Sequence, residues 1–171
     1  FSFQNQRFLI RVDYNVPMDS ELNITDDTRM RATLPTINKI TSYGGSVILM
    51  SHRGRPKGQD DSLSMSHLVA HLSDLLSQEV KFINQCVGDK AIRASKSLKS
   101  GEVLLVENLR FHKEETAGDI HFAKQLSDLG DVYVNDAFGT AHRAHASTAI
   151  IAQFFKKKKC FGYVMSNEIE N

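Results

Sequence analysis

The sequence predicts an α/β fold built on a parallel sheet with right-handed crossovers. Short, continuous apolar runs recur along the chain, as in strands buried on both faces. Segments with apolar residues at helical spacing lie between them, and that alternation is the signature of the class. The polar, cationic residues fall just after the apolar runs, where open parallel sheets bind their ligands.

Phe8 to Val12 reads as the first strand. Met30, Leu34, Ile37 and Ile40 then mark a helix capped near Asp26 or Asp27 and closed by Gly44. Pro35 falls inside that pattern and predicts a kink or a delayed regular start. Val47 to Met50 is the second strand. Met65, Leu68, Val69, Leu72, Leu75 and Leu76 follow at helical spacing behind Ser64, a suitable cap. Val80 to Ile83 is the third strand, Asp89 to Leu98 a weaker helix, and Val103 to Val106 the fourth strand. Behind the cap Asp119, residues Phe122, Ala123, Leu126 and Leu129 form a further helix, and Gly130 suits its stop. Val132 to Val134 is the fifth strand, Ser147 to Phe155 a short helix, and Phe161 to Val164 the sixth strand. The chain opens on Phe1, and Ser166 to Asn171 reads as a helix start, so a longer natural chain is expected on both sides.

The chain has 171 residues, which suggests one domain with a real core. Lys and Arg number 21 and Asp and Glu 20, so overall charge makes no case for nucleic acid or a membrane surface. Hydrophobic residues at 41% and charged residues at 24% argue against disorder. No apolar run approaches the roughly 20 residues of a membrane-spanning helix. Two cysteines, Cys86 and Cys160, are too few for a disulfide scaffold and fit a reducing cytosol.

After the first strand come Asp13, Tyr14 and Asn15, with Arg29 at the next helix start. After the second come His52, Arg53, Arg55 and Lys57, and after the fourth Glu107, Asn108 and Arg110. After the fifth come Asn135, Asp136, Gly139, His142, Arg143 and His145. Four loops thus bring Arg29, His52, Arg55, Arg110 and Arg143 to one edge of the sheet. One arginine after a strand is an ordinary surface residue. Four converging loops point instead to a small ligand with more than one anionic group, which guanidinium forks grip in bidentate fashion. Asp13 and Asn15 are placed to orient a hydroxyl on it. The ordinary reading holds elsewhere. His67 and His71 read as an exposed helix face rather than a metal site. Asp26–Asp27 and Glu114–Glu115 read as capping and dipole partners. Lys156 to Lys159 reads as a solvated loop, and Cys86 as structural. Neither a Gly-x-Gly fingerprint nor a Walker-type loop is present.

The strings RVDYNVP (Arg11 to Pro17), DDTR (Asp26 to Arg29), SHRGRPKG (Ser51 to Gly58), ENLRF (Glu107 to Phe111) and NDAFGTAHRAHAST (Asn135 to Thr148) closely resemble the phosphoglycerate kinase family, in the family's order. The resemblance implies a Rossmann-like, three-layer fold over residues 1–171, as the amino-terminal domain of a two-domain kinase of glycolysis. It implies that this domain binds 3-phosphoglycerate or 1,3-bisphosphoglycerate through Asp13, Asn15, Arg29, His52, Arg55, Arg110 and Arg143. Arg29 matches the arginine that stabilises the phosphoryl group in transfer to ADP, and His142 takes a supporting role. Mg-ATP or Mg-ADP is expected on a carboxyl-terminal domain absent from this chain, with no cofactor or metal held here. The resemblance also implies a cytoplasmic monomer whose amino-terminal half does not turn over alone. On the balance of charge, no nucleic-acid or membrane partner is expected. Arg53 stands where the family commonly has leucine and is left out of the site; the lysine run also departs from the family's usual Pro or Gly content. The alternative is a stand-alone binding module for small phosphorylated acids.

Overall fold

The computed structural model describes residues 2–137 and 144–164. Gly139, His142, Arg143 and the helix start at Ser166 lie outside the described residues. Six strands form one sheet: β1 (Arg7–Val12), β2 (Ser46–Met50), β3 (Val80–Ile83), β4 (Val103–Val106), β5 (Val132–Asp136) and β6 (Lys159–Phe161). Their order is β3-β4-β2-β1-β5-β6, and every pairing in the sheet is parallel. In register, Phe8 lies between Val47 and Val132.

Side chains alternate faces along each strand, and this splits the core in two. Phe8, Ile10, Val12, Val47, Leu49, Leu105 and Val134 meet Ile37, Ile40, Met65, Leu68 and Leu72 on one side. Leu9, Ile48, Met50, Leu104, Val106 and Tyr133 meet Ala91, Phe122, Ala123 and Leu126 on the other. Helices α1 (Thr28–Ala32), α2 (Leu34–Ser42) and α3 (Val69–Leu76) therefore cover the first face. Helices α4 (Asp89–Lys96), α5 (Glu114–Ala117) and α6 (Ile120–Ser127) cover the second. The three-layer α/β architecture is the predicted one.

The central strands β2, β4 and β5 are buried throughout, as expected. The edge strands differ. Beyond Val80, β3 is only half-buried, and both ends of β6 are exposed, because each has a neighbour on one side only.

The helix expected from Met30 to Ile40 is two helices broken at Thr33, with Pro35 in the first turn of the second, where its missing N–H costs nothing. Gly44, at φ 92°, closes it as expected. The Met65 to Leu76 pattern opens as a 3₁₀ turn (Met65–Leu68), capped by the Ser64 hydroxyl accepting from Ser66 N–H, before α3 begins. Asp119 caps α6 by accepting from Phe122 N–H at 2.8 Å. Gly130 plays a different part from the stop read in sequence: a Cβ there would lie 2.8 Å from Leu9 Cβ and 3.2 Å from the Arg7 carbonyl oxygen. Its bare Cα lets the chain cross close under β1.

Two elements near the end are corrected. Ser147 to Phe155 is a run of turns ending in a 3₁₀ helix (Ile150–Phe154), not an α-helix. The backbone N–H groups of Ala146 and Ser147 donate to the backbone and side chain of Glu115, at 2.9 Å each, and this anchoring sets the local path. The sixth strand lies two residues earlier than predicted and ends at Phe161. Beyond it, Tyr163 N–H donates to Thr36 Oγ1 (2.9 Å) and Val164 N–H to Asp136 Oδ1 (2.8 Å). Thr36 in turn donates to Asp136 Oδ2 at 2.9 Å. Side chains, rather than a strand ladder, hold residues 163 and 164.

Candidate functional site

The strand order places β1 between β2, which follows it by way of α1 and α2, and β5, reached after the chain has visited the far edge. That reversal is a topological switch, and the crevice outside the carboxyl ends of β1 and its neighbours is the expected ligand position.

Asp13 and Asn15 leave the end of β1. Asn15 joins two loops: its Oδ1 accepts Gly54 N–H at 2.9 Å, and its carbonyl oxygen accepts Arg29 Nη1 at 2.7 Å. Asp13 Oδ1 accepts Asn15 N–H at 3.2 Å and lies 3.7 Å from Arg29 Nη1. Arg29 is thus held at one nitrogen while its side chain stays 55% exposed, open to a ligand. Asn15, Val16, Pro17, Asp26 and Arg29 line a shallow depression there.

The loop after β2 is fastened from the other side by Asn108, at the end of β4. The buried Asn108 amide accepts from Arg53 N–H (3.2 Å) and Arg110 N–H (3.0 Å). It donates to the carbonyls of Arg53 (2.8 Å) and Leu63 (2.9 Å). Arg110 Nη1 is 3.5 Å from the Gly54 carbonyl. Arg110, Pro56, Lys57, Gly58, His112 and Lys113 line a second depression, rich in cationic groups. Arg55 projects from the same loop and is exposed. Asp13, Asn15, Arg29, Arg55 and Arg110 therefore share one loop cluster, with His52 on its buried inner side. Arg143 lies outside the described residues.

Arg53 is buried, not solvent-facing: its Nη1 donates to the Ser62 carbonyl at 3.0 Å, and burial pulls its guanidinium pKa down. It braces the loop from below. Glu107 is also structural, accepting from Ser64 Oγ, Met65 N–H and Asn108 N–H within 2.9 Å.

Several ordinary readings are sharpened. His71 Nε2 lies 2.8 Å from Asp27 Oδ2, and His67 Nε2 2.8 Å from the Asp61 carbonyl. Asp26 accepts from Thr28 N–H at 2.9 Å, whereas Asp27 makes no capping bond and takes His71 and Arg31 instead. Those two hydrogen bonds, His71's first, hold the Asp27 carboxyl below the usual range. Glu115, read as a dipole partner, is fully buried against Arg11. Burial raises the Cys86 thiol well above its ordinary range, which suits a structural residue.

Arg11 is the residue that strand-end reasoning passes over. It sits inside β1 rather than after it, on the face of Leu9, and is completely buried. A cation within the apolar run Phe8 to Val12 is the available signal, because such a charge needs partners.

Among the described residues no three His, Cys, Asp or Glu side chains come together as a metal site, and none of their helices is long and apolar enough to cross a membrane. The donor set at the strand ends, guanidiniums and an imidazole around one arginine-paired carboxylate, suits an anion rather than a divalent cation.

A family model described as phosphoglycerate kinase matches residues 1–171. A phosphoglycerate kinase of Porphyromonas gingivalis is 44% identical over 99% of this chain and 46% of its own length. That of Aquifex aeolicus is 49% identical over 97% of this chain and 42% of its own. The crystal structure of phosphoglycerate kinase from Pyrococcus horikoshii OT3 superposes with a TM-score of 0.90 at 38% identity, over 99% of this chain and 43% of that one. The chain thus spans less than half the length of these relatives.

Proposed function

The chain belongs to the phosphoglycerate kinase family, and from that premise we propose that it is the acid-binding half of an enzyme transferring a phosphoryl group reversibly between 1,3-bisphosphoglycerate and ADP. The observation that carries this reading is the fastening of Arg29 and the Gly54 loop to Asn15. Two cation-bearing segments are thereby held around the end of one strand, as a ligand with a carboxylate and a phosphate requires. Arg55 and Arg110 supply further guanidiniums, His52 a ring N–H, and Asp13 and Asn15 the polar contacts for the glycerate hydroxyl. Arg143 completes the set by resemblance.

Phosphoryl transfer is served mainly by positioning and charge neutralisation. Arg29, fastened at one nitrogen yet 55% exposed, is assigned to the equatorial oxygens of the group in transfer, a contribution on the order of 3 kcal/mol. Mg-ATP or Mg-ADP is assigned, by the family resemblance, to a second domain, and the strand-end residues here are assigned to the acid. The working protein is read as a cytoplasmic monomer, acting on small molecules alone.

Calorimetric titration of the chain with 3-phosphoglycerate is expected to show weak binding. Arg29→Ala is expected to reduce it about tenfold, since hydrogen bonds to charged groups contribute about 1.5–3 kcal/mol. Unfolding free energy should stay within about 0.5 kcal/mol, because the side chain is exposed. Binding of ATP without binding of 3-phosphoglycerate would overturn the reading.

A further inference from the structure

We propose that Arg11 is a positioning residue for His52: it grips the imidazole at Nδ1, so that the neutral ring carries its proton on Nε2 and its plane is fixed on the inner side of the site. The inference rests on the functional reading above and deepens it at a residue that reading does not use.

Arg11 has no solvent exposure, and its guanidinium is engaged on every side. Its Nε donates to Ser147 Oγ at 2.8 Å, its Nη1 to the carbonyl of Val12, and its Nη2 lies 3.0 Å from His52 Nδ1. Glu115 Oε2 lies 3.8 Å from Nη2, also without exposure. Glu115 is fixed in turn, accepting from Ser147 N–H at 2.9 Å and Ser147 Oγ at 2.5 Å. Tyr133 hydroxyl donates to the Ser147 carbonyl at 2.7 Å. The guanidinium is therefore locked between β1, α5 and the turn at Ser147, and it cannot itself reach a ligand.

A guanidinium has five donors and no acceptor. Burial lowers the Arg11 pKa and Glu115 opposes that shift, leaving a charged donor beside a carboxylate. A donor at Nη2 requires an unprotonated Nδ1 across from it, because a second N–H there would oppose the first. The ring is then neutral and its one proton sits on Nε2. A protonated ring would place two cations about 3 Å apart and lose the bond. In a site already rich in arginine, this arrangement adds a hydrogen-bond donor without adding charge, and it fixes the ring plane through a side chain that never touches substrate.

The direct test is a two-bond ¹H–¹⁵N correlation spectrum of the chain labelled at histidine, with His52 assigned by His52→Gln. The expected pattern is an unprotonated, hydrogen-bonded Nδ1 and a protonated Nε2 at neutral pH. A protonated Nδ1, alone or together with Nε2, would overturn the proposal, and this reading needs no change at Arg11. A second arm uses Arg11→Lys, which keeps a cation beside Glu115 but loses the fork. With the fold intact by circular dichroism, 3-phosphoglycerate affinity is expected to fall about tenfold and the His52 nitrogen pattern to change. A folded Arg11→Lys chain with unchanged affinity and an unchanged ring would equally overturn it. Should the unaltered chain bind no 3-phosphoglycerate at all, the functional reading fails, while the ring spectrum still decides whether Arg11 sets the tautomer.

Discussion

Asn108 accepts two backbone N–H groups and donates to two carbonyls, so one buried amide joins the loops that carry Arg55 and Arg110. Asn108→Ala leaves those four backbone groups without their partner in a buried setting. The expected loss is about 2–4 kcal/mol of unfolding free energy, from stranded polar groups that cost about 1–3 kcal/mol each where water cannot fully replace the bond. Denaturant titration measures it, and 3-phosphoglycerate affinity should fall with it because the two cationic loops lose their common anchor. The described cationic residues of the proposed site could be picked out by position alone, since strand ends are where ligands sit. How those residues are fastened was not legible in the sequence. Arg53 and Arg110 look alike in sequence, yet one braces the loop from beneath and the other lines its mouth. That distinction depends on which carbonyls the folded loop brings within reach, and no local pattern encodes it.

Strands were the most readable elements, because five of the apolar runs lie within single buried or edge strands whose bounds agree to within two residues. Helices were readable where a cap and a periodic stripe coincide, as at Asp119 and α6. Elements failed where a distant group sets the path. The stretch after Ser147 turns instead of coiling because Glu115 captures its first N–H groups, and β6 ends early because Thr36 and Asp136 take the next ones. Gly130 belongs to the same class. Its part is a close approach of the α6–β5 connection to β1, invisible without the partner strand. Gly130→Ala drives a methyl against Leu9 and is expected to cost about 1–3 kcal/mol, the range for overpacking. A melting curve beside that of Gly118→Ala checks it: the latter adds left-handed strain, at φ 66°, to a clash with the Ala144 carbonyl oxygen and should be at least as destabilising.

For the whole molecule, the alternation of strands and helices was enough for the class, but not for the order β3-β4-β2-β1-β5-β6, which depends on which edges meet in space. The family motifs supply the missing constraint, since a chain that matches over residues 1–171 inherits the topology along with the loops. The all-parallel sheet has one more consequence, a mechanical one. Arg7 enters β1 at one rim and Phe161 leaves β6 at the opposite rim, with β5 between them and every strand pointing the same way. A pull applied between residues 7 and 161 therefore runs along the strands in opposite senses and loads their hydrogen bonds in shear, many at once. Arg7 and Ser46, by contrast, stand side by side at the same rim. A pull between them opens the β1–β2 pair like a zipper, one bond at a time. Tethered at residues 7 and 161, the domain should resist a distinctly higher rupture force in an optical trap than when tethered at 7 and 46; equal forces along the two directions would mean that the sheet is not what bears the load.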